Sequence, residues 1–403
     1  MDVSGDEIAD AVLTQFDSWE KKRKPMNRAD NVKEWVPLSG IVLHDAKTGT
    51  LKCVAAATGM KCLPQKLIPR AQGVTLHDWH AEIFAIRSFN RFILEECQVL
   101  VTSDKKSSEY VRRRDELEKS ETHAQPFALN DGVNIYMYCS EAPCGDASME
   151  LTMAAQEDAT PWAKAESSLT EKPILHGRGY FSNLGVTRRK PSRPDAPPTL
   201  SKSCTDKIAL KQSTSLLSSI TSLMVSPENI YIHSLVLPHS QLSTVAVERA
   251  FSPSGRLKEL DGREWDSGYR FSPFRVLGTT REFSYSRRQN DAKELVPSNI
   301  SSLWTPYGAE TIIGGTMQGR KQFDVRGASK VCKRRLWKLA AEISSAAEST
   351  EWGTYLLKDK YLNLKDGDML AQRRKVKEDV RKVMGGWIRN EGGEDFALDG
   401  VES

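Results

Sequence analysis

The sequence predicts an α/β fold: a mixed sheet flanked by helices, enlarged by a helical, basic C-terminal extension. Three observations carry this. Apolar runs of strand length at 38–58, 133–139, 229–237 and 272–278 alternate with segments of helical period. A hydrophobic fraction of 39%, with nine Trp, supports a substantial core. No repeat and no linker divides the 403 residues, so a chain long enough for two or three domains reads as one large domain.

The elements follow in order. Over residues 5–20, Ile8, Val12, Leu13, Phe16 and Trp19 recur at helical spacing, and the basic run 21–24 with Pro25 ends the helix. Residues 1–37 are thus expected as an amphipathic helical segment packed on a catalytic domain of 38–403. Ile41–Leu43 and Cys53–Ala57 flank a turn at Lys47–Thr50 and read as a hairpin. A helix starts near His80 and runs to about Glu96. Residues 102–126 carry charge without apolar period and read as a surface excursion. Strand 133–139 runs into a turn and a helix after Cys144. Polar 155–175 and Pro-rich, basic 187–202 read as loops. A helix begins near Cys204, strands are expected at 229–237 and 272–278, and the last third reads as mostly helical, around 328–346 and 369–385.

Composition excludes several classes. Formal net charge is +4, so any nucleic-acid surface must be local. Seven Cys spread along the chain do not form a disulfide framework. The acidic start MDVSGDEIAD lacks the basic, then apolar, pattern of a signal peptide, and no run of about 18 apolar residues occurs. An intracellular protein with reduced thiols is expected, in the nucleus, the cytoplasm or both.

The sharpest chemical signal is His80-Ala81-Glu82 at a helix start. Pro143-Cys144-Gly145 and Cys204 also stand where helices begin. A helix N-terminus lowers a Cys pKa, and thiolate is the form that binds zinc. One His with two Cys leaves tetrahedral zinc a fourth position for water, as catalytic sites require. Glu82, two residues from a ligand, is placed to move protons. Taken singly, Cys144 and Cys204 read as small buried hydrophobes. Occurring together, in order, they read as one site with His80. Cys53, Cys62, Cys97, Cys139 and Cys332 are expected to be packing residues.

This arrangement resembles the zinc nucleobase deaminases, which pair His-x-Glu with a Pro-Cys element. Their commoner form has a second Cys three residues on; here that residue is Ala147, and Cys204 supplies the thiolate. A Cys pair split this way is the pattern of the eukaryotic adenosine deaminases acting on RNA. HDWHAEI, SEAPCGDASME, SCTDKIALK, ATGMKC and GASKVCK occur in that family's order, so the resemblance covers nearly the whole chain. It implies a cytidine-deaminase-like fold and hydrolytic deamination of a flipped adenine, with Glu82 as proton shuttle. The segment resembling catalytic-domain sequence begins near residue 38, leaving no room for a separate RNA-binding domain. The 190–204 stretch lacks the Gly-Glu-Gly loop of the double-strand editors. Both features are similar to the tRNA-specific branch, which acts on adenosine 37 beside the anticodon of alanine tRNA. No membrane and no obligate protein partner is indicated. An editor of structured messenger RNA and a silent RNA-binding protein with structural zinc are the rival readings.

For RNA contact, the resemblance points to Lys61, and Arg188, Arg189 and Arg193 are phosphate-contact candidates, the alternative being a solvated loop. The resemblance also implies a buried inositol hexakisphosphate, a polyanion that Lys and Arg must neutralise. The matching positions are Arg87, Lys207, Lys333, Tyr361, Lys365, Gln372, Lys375, Trp387 and Asp395. Asp78 and Lys190 match a polar relay from that ligand to the zinc. His77, Ile86, Leu210 with Lys211, and Ala371 depart from the family's pattern. Lys-rich runs such as 373–382 otherwise read as solvated helix faces.

Overall fold

The computed structural model describes residues 3–26, 32–103, 105, 107–155, 175–176, 183–190, 196–288, 293–347, 355–356 and 360–398. The first helix, α1, spans Gly5–Asp17. A capping box starts it: Ser4 Oγ accepts from the Glu7 N–H at 3.2 Å, and the Glu7 carboxylate accepts from the Ser4 N–H at 2.9 Å. A hairpin follows, β1 (Leu38–Asp45) and β2 (Thr50–Thr58). Its turn closes with the Gly49 N–H on the Asp45 carbonyl at 2.8 Å, and Gly49 has φ +70°, a conformation that glycine adopts without a Cβ penalty.

The long helix α2 (Ala81–Val101) is five residues longer than the pattern predicts. Strand β3 (Val133–Cys139) matches its predicted span. Then come α3 (Cys204–Thr214), β4 (Ile232–Pro238), α4 (Thr244–Phe251) and β5 (Arg275–Thr279). The last third corrects the sequence reading. Before its helices it adds three strands to the main sheet, β6 (Ser301–Thr305), β7 (Gly308–Ile313) and β8 (Thr316–Met317), after a short strand Glu294–Pro297 that pairs in parallel with Val32–Trp35. Thr305-Pro306-Tyr307-Gly308 is the turn signal that marks them. The helices are α5 (Lys333–Ala346), α6 (Tyr361–Asp366) and α7 (Ala371–Met384).

The eight strands form one mixed sheet in the order β5-β4-β3-β1-β2-β6-β7-β8. β5, β4 and β3 run parallel, while β3, β1, β2 and β6 pair antiparallel. Side chains alternate between its faces. Ile41, Leu43, Ile135, Met137, Leu235 and Leu237 meet Phe89, Phe92 and Ile93 of α2. Leu38, Val42, Tyr136, Tyr138 and Val236 meet Ile8, Val12 and Phe16 of α1. Both faces are covered, which is why these strands read as continuous apolar runs. Asp6 fastens α1 to the end of β5, accepting from the Thr279 hydroxyl at 2.6 Å and the Thr280 N–H at 2.8 Å.

Two expected loops hold short ladders. Val111–Arg113 pairs with Phe127–Leu129 inside the 102–126 excursion and its border. Arg188–Arg189 pairs with Leu175–His176, so 187–202 is not uniformly irregular. Most of the 155–175 loop, and Arg193, lie outside the described residues.

Candidate active site

His80 is held by a short ladder. The chain leaving β2 lies antiparallel to residues 77–81: Leu63 N–H donates to His77 O at 2.9 Å, Trp79 N–H to Lys61 O at 3.1 Å, and Ala81 N–H to Gly59 O at 2.8 Å. His80 thereby becomes the N-cap residue of α2. Asp78 orients its ring. One carboxylate oxygen faces both the His80 N–H and Nδ1 at 3.0 Å. The other takes Lys190 Nζ at 2.9 Å, Ser201 Oγ at 2.7 Å and the Lys207 ammonium. Asp78 is held well below the usual carboxylate range; burial opposes this, and Lys190 and Lys207 overcome it. The structure thus joins the two expected relay residues and adds Ser201 and Lys207 to them.

Cys144 follows β3 at the mouth of the site, and Cys204 opens α3, fully buried. The Cys204 N–H donates to Cys144 Sγ at 3.3 Å. Thr205 joins both turns: its N–H meets Cys144 O at 3.0 Å and its hydroxyl meets Pro143 O at 2.8 Å. Lys190 Nζ lies 3.2 Å from Cys204 Sγ. A hydrogen bond from the Cys204 side chain, followed by the charges of Lys190 and His80, holds Cys144 well below the usual thiol range. Gly145, at φ +110°, lets the turns meet, since a Cβ there would overlap the Ser203 side chain. Glu82, in the first turn of α2, is buried; burial and then the neighbouring Cys144 raise its carboxyl above the usual range.

Among the described residues, one group of three potential metal donors lies within 4.8 Å: Cys62, Asp78 and His80. Cys62 Sγ is 3.5 Å from His80 Nδ1, so this cysteine is no mere packing residue. The two expected thiols form a second pair, joined to His80 through Lys190 and Asp78. Asp78 already faces five donors, and it fixes the His80 ring through Nδ1.

The basic chamber is built by α2, α3, α5, α6 and α7. Lys333 lies 5.6 Å above the Tyr361 ring and 3.6 Å from Glu394, which also pairs with Lys365 at 2.5 Å. Lys202 and Arg381 flank the Trp387 ring at 5.6 and 5.4 Å. Burial, then neighbouring cations, pushes Lys333 down to about 8 and Lys202 down to about 7. Arg87 Nε, Arg381 Nε, Gln372 Oε1 and His77 Nε2 are buried with no hydrogen-bond partner among the described residues. Lys377 is pushed well down by burial, then by Arg373 and Lys365.

Three expected contacts are corrected. Lys375 is exposed. Two residues turn a helix by about 200°, so the inward row of α7 is Arg373, Lys377 and Arg381 at i, i+4, i+8. Asp395 is exposed and pairs with Lys360 at 2.8 Å; its neighbour Glu394 faces the chamber. Arg188 is buried, its guanidinium on Asn183 O at 2.5 Å, and so is no phosphate contact. Arg189 is half-buried, and Lys61 meets Asn299 at 2.6 Å. Of the departures, Lys211 spends its ammonium on the Leu216 and Leu217 carbonyls at 3.0 and 2.6 Å, and Ala371 is exposed.

Residues 55–391 match the adenosine-deaminase (editase) domain. The chain is 37% identical to a tRNA-specific adenosine deaminase 1 of Schizosaccharomyces pombe, over 97% of this chain and 96% of that protein. A tRNA-specific adenosine deaminase 1 of Saccharomyces cerevisiae is 31% identical over 64% of each chain. A double-stranded RNA-specific editase of Drosophila melanogaster is 27% identical over 50% of this chain and 29% of its own. No helix among the described residues is long and apolar enough to cross a membrane. With the cysteine pair and the buried Glu82 beside His80 set on a mixed α/β sheet, these matches establish that the chain belongs to the adenosine-deaminase (editase) family and is a deaminating hydrolase.

Proposed function

We propose that the protein converts adenosine to inosine in tRNA by zinc-dependent hydrolysis, with position 37 of alanine tRNA as its target. The observation that carries this reading is Glu82, a buried carboxyl two residues from His80, which burial and then the neighbouring Cys144 raise above the usual range, as suits a group that takes and returns a proton. The full-length relative named for tRNA supports the substrate class. The donors fit zinc: an imidazole whose Nδ1 is tied to Asp78, and two adjoining sulfurs, one of them held well below the usual thiol range. His80, Cys144 and Cys204 would hold it. Zinc, when bound, acts as a Lewis acid that brings the pKa of water to about 7. Glu82 takes the proton of the water that attacks C6 of the flipped adenine. It delivers that proton to N1, then carries the second proton, from the new C6 hydroxyl, to the amine as the C6–N bond breaks, and ammonia leaves. Lys190 and Asp78 keep the His80 ring and the Cys204 sulfur in place. An unpaired anticodon-loop base costs less to extrude than a duplex base, which suits an anticodon-loop adenosine as the target.

The chamber supports a bound inositol hexakisphosphate as a structural cofactor. Its orphaned polar atoms and crowded cations lack the anion that would satisfy them. Arg87, Lys333, Lys365, Lys377, Arg381 and Trp387 would hold it. Lys61 and Arg189 stay the proposed RNA contacts, and the nucleus or cytoplasm the proposed location. The deciding experiment measures inosine at position 37 of an alanine tRNA transcript, with a long RNA duplex alongside. Inosine in the tRNA alone bears the proposal out. Inosine in the duplex alone makes the protein an editor of structured RNA, and none from folded, zinc-loaded protein makes it a silent binder.

A further inference from the structure

Each cysteine of the pair stands two residues before a fully buried aspartate: Cys144-Gly145-Asp146 and Cys204-Thr205-Asp206. The two carboxylates are held alike. Asp146 takes Arg249 Nε at 3.0 Å and the Gly185 N–H at 2.8 Å. Asp206 takes Arg256 Nη1 at 2.7 Å and the Arg188 N–H at 2.9 Å. Both arginines come from one segment, α4 and the turn after it, and the Arg256 N–H donates to the Arg249 carbonyl at 2.9 Å. Both amides also come from one segment, residues 185–188. Arg249 reaches further, to the Asp146 carbonyl at 2.9 Å and to Glu150 at 3.0 Å.

Two turns 60 residues apart are thus keyed to the same two pieces of chain. A buried ion pair adds little stability against an apolar replacement, because desolvation offsets the attraction. Two such pairs at matching offsets from two sulfurs supply geometry. We propose that Arg249 and Arg256 are positioning residues that fix the separation of the Cys144 and Cys204 sulfurs before metal arrives. The inference rests on the zinc reading above. A pair already set loses little freedom on coordination, whereas a loosened pair must be ordered by the metal itself.

The test uses the full chain and Zn²⁺, with affinity read by competition against a chromogenic chelator and melting followed with and without zinc. Arg249→Gln and Arg256→Gln should bind zinc about 10- to 100-fold more weakly, the range for residues that orient ligands. The rise in melting temperature produced by zinc should shrink in both, and Arg249→Lys should recover part of the loss. If the glutamine variants do not accumulate, Arg249→Lys and Arg256→Lys, which keep charge and lose the fork, give the same comparison. Unchanged affinity, with zinc-free and zinc-loaded melting lowered equally, would make the arginines ordinary structural pairs and overturn the inference alone. Native protein that binds zinc no better than Cys204→Ala would overturn the zinc reading and the inference with it.

Discussion

The molecule buries charge in two regions, on opposite terms. Around the cysteines three buried aspartates have their cations: Asp78 with Lys190 and Lys207, Asp146 with Arg249, Asp206 with Arg256. In the chamber between α2, α3 and the C-terminal helices, Lys333, Lys365 and Lys377 gather around the acid Glu394, with Arg87 beside Lys333 and with Arg373 and Arg381 beside Lys377. Paired burial gives a region a fixed shape before any ligand binds. Unpaired burial leaves a region short of charge until an anion supplies it.

Substitutions in each region should separate these modes. The largest effect is expected in rate. Glu82→Ala should lower inosine formation about a hundred- to ten-thousand-fold, with the melting temperature kept, in single-turnover assays on tRNA. Next in size is Lys365→Glu, which sets a negative charge beside Glu394 and facing the proposed polyanion. A loss of about 3 kcal/mol, seen as less soluble folded protein, is expected from reversing the charge in this part-buried pair. Normal yield and melting would remove the buried anion from that position. Gly145→Ala should cost about 1–3 kcal/mol in denaturant unfolding, because it strains a backbone at φ +110° and crowds Ser203.

The chamber also carries a pH signature. Lys333 and Lys202 lie below their ordinary value in the protein without an anion, at about 8 and about 7. The unfolded chain therefore binds more protons between those values and the ordinary lysine value of 10.5, and their contribution to stability rises with pH across that window. An anion favours the protonated lysines, so binding takes up protons. The added melting temperature from inositol hexakisphosphate should thus be larger at pH 7 than at pH 9. An equal increment at both would place the anion elsewhere. The smallest effect is Lys375→Glu, within about 0.5 kcal/mol of native in the same assay, since that side chain points to water.

Much of this was legible in the chain. The period of residues 5–20, the hairpin, strand 133–139 and the helix starts at His80 and Cys204 all follow from local pattern, because each is written within one element. The strands at 301–317 are short and lie between basic, helix-forming flanks that dominate the pattern of the last third, with the Thr-Pro-Tyr-Gly turn as their local signal. The chamber's inward row on α7 was missed by one helix face. Positions 373, 377 and 381 show the required spacing, but only packing says which row faces in. The repeated Cys-x-Asp was visible as text and silent as chemistry, since its partners lie in a segment more than forty residues downstream.

By itself, the sequence determined the residue types of the site: one His-x-Glu, two cysteines at helix starts and an excess of Lys and Arg near the C-terminus. Side-chain chemistry and short-range capping are local, so they survive as pattern. The tertiary structure decided which groups share a carboxylate, that Cys62 stands beside His80, that Arg188 is internal, and that Lys377 and Glu394, not Lys375 and Asp395, face the chamber. Those outcomes depend on which face of each element is taken out of water, and only the assembled sheet and helices fix that.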